Sequence, residues 1–162
     1  MSTRRDHDVV VYGATSFVGQ ILCRYLARRH GTDGTLRWAI AGRDARKLDR
    51  VAAETGAEVP RLVADASDRA ALDAITASTR VVVSTVGPYA LHGSELVASV
   101  VEAGADYCDL TGEVQWMRRM IDAHQSRAEA TGSRIVHACG FDSIPSDLGT
   151  WFTQQRAVEQ FG

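Results

Sequence analysis

The chain has 162 residues, with 18 basic and 20 acidic side chains, a net charge of −2 and 45% hydrophobic residues. That suits one soluble domain with a single core, and it excludes bulk electrostatic attraction to nucleic acid or an anionic membrane. No apolar run reaches membrane-spanning length and the N-terminus lacks a signal peptide's apolar region; a cytoplasmic location is expected from the cysteines, which are odd in number and form no Cys-x-x-Cys.

Short apolar runs alternate with helical patterns along the chain. The first run, Asp8–Tyr12, leads into Gly13-Ala14-Thr15-Ser16-Phe17-Val18-Gly19. A helix should follow, because Phe17, Val18, Ile21, Leu22, Tyr25 and Leu26 recur at helical spacing and stop at His30-Gly31. A second run, Leu36–Ala41, precedes a helix over Asp44–Thr55, and a third, Pro60–Ala64, precedes one over Asp68–Ser78. Asp44 and Asp68 are suited to cap these helices. The fourth run is Arg80–Thr85, followed by a stripe of Val97, Val100 and Val101 closed by Gly104. The fifth, Ala105–Asp109, is followed by Trp116, Met117, Met120, Ile121 and His124 on a helix running to Gly132. The sixth, Arg134–Ala138, leads through a polar turn to a last helix with Ser146 as its expected N-cap.

Such alternation predicts an α/β fold with right-handed crossovers and a doubly wound parallel sheet of about six strands. The strand order 3-2-1-4-5-6 of a Rossmann-type dinucleotide-binding domain is expected, with ligand at the carboxyl ends of the strands. No internal repeat or linker interrupts the pattern. The pairs Arg4–Arg5, Arg28–Arg29 and Arg118–Arg119 are read as solvated surface, and Cys23, Cys108 and Cys139 as free thiols in a reducing compartment.

The turns after the strands carry the functional signals. In the first, Gly13 permits a tight turn and Gly19 close packing of the helix on the sheet, while Ser16 stands where a third glycine would admit phosphates. Serine is small, caps helices, and has a hydroxyl able to donate to a phosphate oxygen. Gly13, Ala14, Thr15, Ser16, Phe17 and Val18 are therefore the candidate pyrophosphate loop. After the second strand, Gly42 and Arg43 occupy the place where an NAD site would present an acidic side chain to the ribose. Arg43, with Arg46 and Lys47 a turn on, favours NADP over NAD; the alternative leaves Arg43 on the surface and gives the ribose to Asp44.

Asp65 either accepts from the adenine amino group or belongs to its own turn. Val86, Gly87 and Pro88 should lie against the nicotinamide side, and Tyr89 should either point its phenol at substrate or pack. Gly93, four residues after Tyr89, excludes a Tyr-x-x-x-Lys catalytic pair there. His137, Cys139 and Asp142 lack the spacing of a zinc site, so no metal is expected, and a Cys139–His137 dyad shows no sign of activation. Asp142 either caps or reaches the cleft.

Together, "YGATSFVG", "AGR", "STVGPYALHG", "DYCDLTGE" and "HACGFDSIPSDLG" resemble the N-terminal domain of saccharopine-dehydrogenase-like oxidoreductases, in the branch with trans-acting enoyl reductases. The resemblance covers about residues 8–150. It implies an NADP-binding domain over 1–150, with 151–162 starting the connection to a substrate and dimerisation domain. It also implies hydride transfer between NADP(H) and a small-molecule or acyl-chain substrate of the unsaturated acyl or imine type, a homodimer formed mainly through that further domain, and substrate-facing positions at Tyr89 and Asp142. Gly140-Phe141-Asp142-Ser143-Ile144-Pro145 departs from the family's Gly-x-Asp-Pro-Gly turn, which argues against saccharopine itself as substrate. Ser16 departs from the usual glycine.

On this reading the 162-residue chain alone should bind NADP weakly and turn over little. The rival reading is a non-catalytic nucleotide-sensing or interaction domain on the same fold. Trp151, Phe152 and Phe161 fit either a domain junction or a self-association face.

Overall fold

The computed structural model describes residues 5–162. Arg4 of the first arginine pair lies outside them. Arg5 is not free surface, because its guanidinium bonds the carbonyl oxygens of Thr79, Ala103 and Gly104.

Among the described residues, six parallel strands form one sheet: β1 (His7–Tyr12), β2 (Trp38–Gly42), β3 (Arg61–Val63), β4 (Thr79–Ser84), β5 (Asp106–Asp109) and β6 (Ile135–Val136). Their order is β3-β2-β1-β4-β5-β6, the arrangement expected from strand–helix alternation. Among the described residues, seven helices connect or follow them: α1 (Phe17–His30), α2 (Ala45–Thr55), α3 (Arg69–Ser78), α4 (Tyr89–His92), α5 (Ser94–Ala103), α6 (Val114–Thr131) and α7 (Ile144–Phe161). Asp44 caps α2 through the Lys47 N–H at 3.1 Å, and Asp68 caps α3 through the Ala71 N–H at 3.0 Å.

Because side chains alternate along a strand, the sheet buries two separate layers. On one face Val11 and Ile40 pack with Cys23, Leu26, Trp38, Leu48 and Val51 under α1 and α2. On the other, Val10, Tyr12, Val82 and Tyr107 pack with Leu72, Val97, Val100 and Trp116 under α3, α5 and α6. Each fully buried Val or Leu contributes about 1.5–3 kcal/mol.

Three expectations are corrected. The apolar stripe of α1 is only partly core: Gly19, Cys23 and Leu26 are buried, while Phe17 is 80% and Tyr25 57% exposed. Glycine lets α1 approach the sheet along that narrower line, which turns the aromatic members outward. β6 is shorter than expected, two residues at the sheet edge, and the backbone leaves the strand direction at Ala138, whose φ is 59°. Finally, α7 starts at Ile144 after Ser143, and neither Ser143 nor Ser146 makes a side-chain cap. Pro145 is the cause, since its fixed φ suits the first turn and starts the helix before Ser146 is reached. The boundary expected after residue 150 falls within this helix, none of whose residues is buried.

A Cβ on Gly19 would lie 2.3 Å from the Gly13 carbonyl oxygen and 2.8 Å from the Ala14 Cα. Both obstacles are backbone, so Gly19→Ala should lose about 1–3 kcal/mol of stability, read as a lower urea midpoint. Hydrogen bonds from Arg37, Ser99 and Arg134 hold Asp8, Asp73 and Asp106 respectively below their ordinary carboxylate range. A lowered carboxylate adds stability that is complete above its unfolded pKa and is lost as pH falls through the folded value. Stability measured by circular dichroism should therefore decline below about pH 4, and Asp8→Asn should make that decline shallower.

Candidate functional site

The turn after β1 is held by a chain of hydrogen bonds. The Gly19 N–H donates to Ser16 Oγ at 2.9 Å, Ser16 Oγ to Thr85 Oγ1 at 2.9 Å, and Thr85 Oγ1 to the Gly13 carbonyl at 2.8 Å. Ser16 is thus the N-cap of α1 and also ties the turn to the loop after β4. Its hydroxyl proton points inward to Thr85, not outward to a ligand as the sequence suggested. The side chain consequently leaves open the approach that a glycine would have kept clear.

Gly13 is required here for two reasons. Its φ is +91°, and a Cβ would meet Val86 Cγ2 at 2.5 Å. The Gly13 and Ala14 N–H groups are spent on the Ala41 carbonyl and the Ser16 N–H on the Gly13 carbonyl. Among the described residues, no acceptor takes the N–H groups of Thr15, Phe17 or Val18. Three unspent donors at the start of a 14-residue helix, with its dipole behind them, form a cradle for an anion.

A cleft of about 320 Å³ opens beside this cradle, lined by Gly13, Thr15, Ser16, Gly42, Arg43, Asp65, Val86 and Gly87 among others. Turns after β1, β2, β3 and β4 therefore meet in one place, as the sequence predicted. Four other candidates do not line it. Ala14 is buried beneath the turn, the Phe17 and Val18 side chains are exposed, and Pro88 follows the cleft-lining Gly87. Phe17 and Val18 offer backbone donors only.

Arg43 is exposed at the cleft with no side-chain hydrogen bond or ion pair among the described residues. Asp44 is occupied in capping α2. Asp65 Oδ1 accepts from the Ser67 N–H at 3.0 Å and the Ser67 hydroxyl at 2.7 Å, so the carboxylate does belong to its own turn. Those two bonds hold its carboxyl below the ordinary range, with Arg43 and then His92 adding to the effect. Tyr12 and His92 also line the cleft, and sequence reasoning missed both. Tyr12 ends a strand whose alternation marks it only as core, and burial pushes its phenol up to about 12. His92 sits in a four-residue helix that has no periodic signal.

On the β5–β6 side the expectation for Tyr89 is corrected. It is 5% exposed, its hydroxyl donates to the Ser84 carbonyl at 3.0 Å and accepts from the Leu110 N–H at 3.4 Å, and its ring packs on Trp116. Burial pushes its pKa up to about 12. Packing, the alternative reading, describes it. The sequence also gave no hint that the Glu113 carboxylate would accept from the Tyr89 N–H at 2.6 Å and the Ala90 N–H at 2.9 Å, joining the loops after β4 and β5.

Asp142 is exposed in the turn before α7. Cys139 is exposed, with burial of its surroundings raising the thiol's pKa. His137 does not pair with it through side chains. Instead His137 Nδ1 lies 2.7 Å from Asp109 Oδ2, an interaction across neighbouring strands that sequence spacing does not display. Among the described residues no group of three or more His, Cys, Asp or Glu side chains could hold a metal ion, and no helix is long and apolar enough to cross a membrane.

Residues 9–136 match the family described as the saccharopine dehydrogenase NADP binding domain. A trans-acting enoyl reductase of Mycobacterium leprae is 44% identical over 159 residues, covering 96% of this chain and 37% of that protein. One from Mycobacterium tuberculosis is 45% identical over 158 residues, with the same shares. The chain thus spans little more than a third of the length of these relatives. Among solved structures, apo saccharopine dehydrogenase (L-Glu forming) from Saccharomyces cerevisiae aligns with a TM-score of 0.77 at 21% identity, over 94% of this chain and 32% of that one. Leucoanthocyanidin reductase from Vitis vinifera, in its NADPH complex, aligns at 0.56 and 18% identity, over 80% and 48%. These two likenesses concern the fold.

Ser16→Ala should remove both the cap and the tie to Thr85, lowering the unfolding free energy by about 1–2 kcal/mol in urea denaturation. Equal stability of Ser16→Ala and wild type would show that the hydroxyl contributes nothing to holding the turn.

Proposed function

The chain belongs to the saccharopine dehydrogenase NADP-binding domain family, and from that premise we propose that it is the cofactor-binding domain of an NADPH-dependent reductase of α,β-unsaturated acyl groups. The observation that carries the cofactor half is the set of unspent Thr15, Phe17 and Val18 N–H groups beside an unpaired Arg43. The naming of the relatives as enoyl reductases supports the acyl substrate.

In this reading the pyrophosphate rests on those three donors, and Ser16 holds the turn that presents them. Arg43 faces the 2′-phosphate, for which its forked guanidinium is suited and which NAD lacks. Asp65 flanks the adenine through whatever acceptor capacity its turn leaves. Val86, Gly87 and Pro88 back the nicotinamide side, where Gly87 permits close approach. When bound, NADPH supplies the hydride; the chain supplies orientation and exclusion of water. Asp142 is kept as a substrate-facing candidate because it is exposed beyond the carboxyl end of β6. Tyr89 is not, because both hydrogen-bonding functions of its hydroxyl are spent on backbone.

A substrate and dimerisation domain following residues 151–162 is part of the proposal, supported by the relatives' greater length and by an α7 with no buried side chain. Trp151, Phe152 and Phe161, exposed at 63%, 56% and 79%, would be covered at that junction. We place the protein in the cytoplasm, in keeping with its free thiols.

The test is a tryptophan-fluorescence titration of the chain with NADPH and NADH. NADPH should bind more tightly, and Arg43→Ala should weaken NADPH by about tenfold or more, about 1.4 kcal/mol, while leaving NADH unchanged. Equal binding of both cofactors, or equal weakening of both by Arg43→Ala, would remove Arg43 from the 2′-phosphate.

A further inference from the structure

One face of the sheet is covered across its whole width, and the other across only half. On the first face, the layer under α3, α5 and α6 takes side chains from all six strands, from Leu62 of β3 to Ile135 of β6. The layer under α1 and α2 takes Val11 of β1 and Trp38 and Ile40 of β2, and among the described residues none from β4, β5 or β6. Register carries the face of Val11 across the rest of the sheet. Val11 pairs with Val83, Val83 with Cys108, and Cys108 with Val136, so all four side chains point the same way. Exposure alternates to match. Val82, Ser84, Tyr107 and Asp109 are buried, whereas Val81, Val83 and Cys108 are half-buried and Val136 is 51% exposed.

Topology explains why no helix of the six-strand path covers this half. The chain steps outward from β1 to β2 to β3, and right-handed crossovers put α1 and α2 on one face. It then steps the opposite way from β4 to β5 to β6, so the same handedness puts α5 and α6 on the other face. The α1 face of β4, β5 and β6 can be covered only from outside that path. The helix after β6, α7, does not cover it, since none of its side chains is buried. An all-parallel sheet is stable with both faces covered.

We propose that the half-sheet of Val81, Val83, Cys108 and Val136 seats an amphipathic helix supplied by the part of the protein that follows residue 162; this rests on the reading above that a further domain follows. The relatives support a cover from the same polypeptide, because this chain corresponds to 37% of their length and the larger part lies outside it. A tethered helix also stays in place at any dilution, whereas a second copy would leave the valines bare whenever it dissociated. Charge narrows the chemistry of the cover. With α2 packed over β2 and β3, α1 is the helix that borders the seat. Its Arg24, Arg28 and Arg29 make no ion pair among the described residues. The seated helix therefore presents aliphatic side chains to the sheet and an acidic flank to α1.

Thiol labelling of this chain and of the complete protein that carries it tests the proposal. Cys139→Ser removes the exposed native thiol, and Cys23 is buried. In that background Val136→Cys places a thiol on the seat, at a half-exposed position on an edge strand where the change is mild. Trp151→Cys, on α7, reports the domain junction separately. Toward N-ethylmaleimide, the Val136→Cys variant should react at least about tenfold more slowly in the complete protein than in the chain alone, because labelling must wait for the cover to open. Equal Val136→Cys rates in the two, with Trp151→Cys slowed in the complete protein, would overturn the seat and keep the further domain. If neither site is slowed, the further-domain reading falls and takes the seat with it. Slow Val136→Cys labelling in the chain alone that quickens on dilution would give the seat to a second copy and overturn the proposal.

Discussion

The site depends on one short chain of hydrogen bonds, from the Gly19 N–H through Ser16 Oγ and Thr85 Oγ1 to the Gly13 carbonyl. It joins the start of α1, the turn after β1 and the loop after β4. The bonds are possible because Gly13 and Gly19 let helix and strand backbones come together where any Cβ would collide. Serine in the middle of the turn is thereby explained physically. Its hydroxyl is consumed inward, so it stabilises the turn while keeping the ligand side clear.

From that constraint follows a division of the carboxyl edge of the sheet. The turns after β1, β2, β3 and β4 meet at a cleft with free backbone donors, a cationic rim at Arg43 and a carboxylate held by its own turn at Asp65. The loops after β5 and β6 are instead pinned by a buried carboxylate, Asp109, which gathers Thr111, His137 and Ala138 and whose own carbonyl accepts from the Cys139 N–H. Glu113 and Tyr89 bridge the two regions. In the proposed function the first half holds cofactor and the second handles substrate, so a substitution in one half should act separately from one in the other.

Much of this was legible from the sequence because it is local. Strand–helix alternation carries the sheet order, and the residues after β1, β2 and β4 are the ones at the cleft, since a parallel sheet brings its carboxyl ends together whatever the details. What failed was what depends on register or on neighbours. The α1 stripe looked like one buried face, but close approach at Gly19 narrows the contact and leaves Phe17 and Tyr25 in solvent. Tyr89 looked like a substrate-facing phenol, yet it turns under the loop to reach the Ser84 carbonyl. The Asp109–His137 pair spans 28 positions and adjacent strands, so no spacing rule points to it. Ser146 was the plausible cap until Pro145 set the helix start earlier.

The central claim is that the Ser16-closed turn presents Thr15, Phe17 and Val18 as the anion donors for the cofactor. Amide 1H–15N shifts of the chain during titration with NADPH test it most directly. The account predicts that the Thr15, Phe17 and Val18 amides shift furthest and at one common midpoint, while the Thr111 and Ala138 amides, held by Asp109, move little. Saturable binding that leaves those three amides unmoved, or no binding by the folded chain, would contradict it.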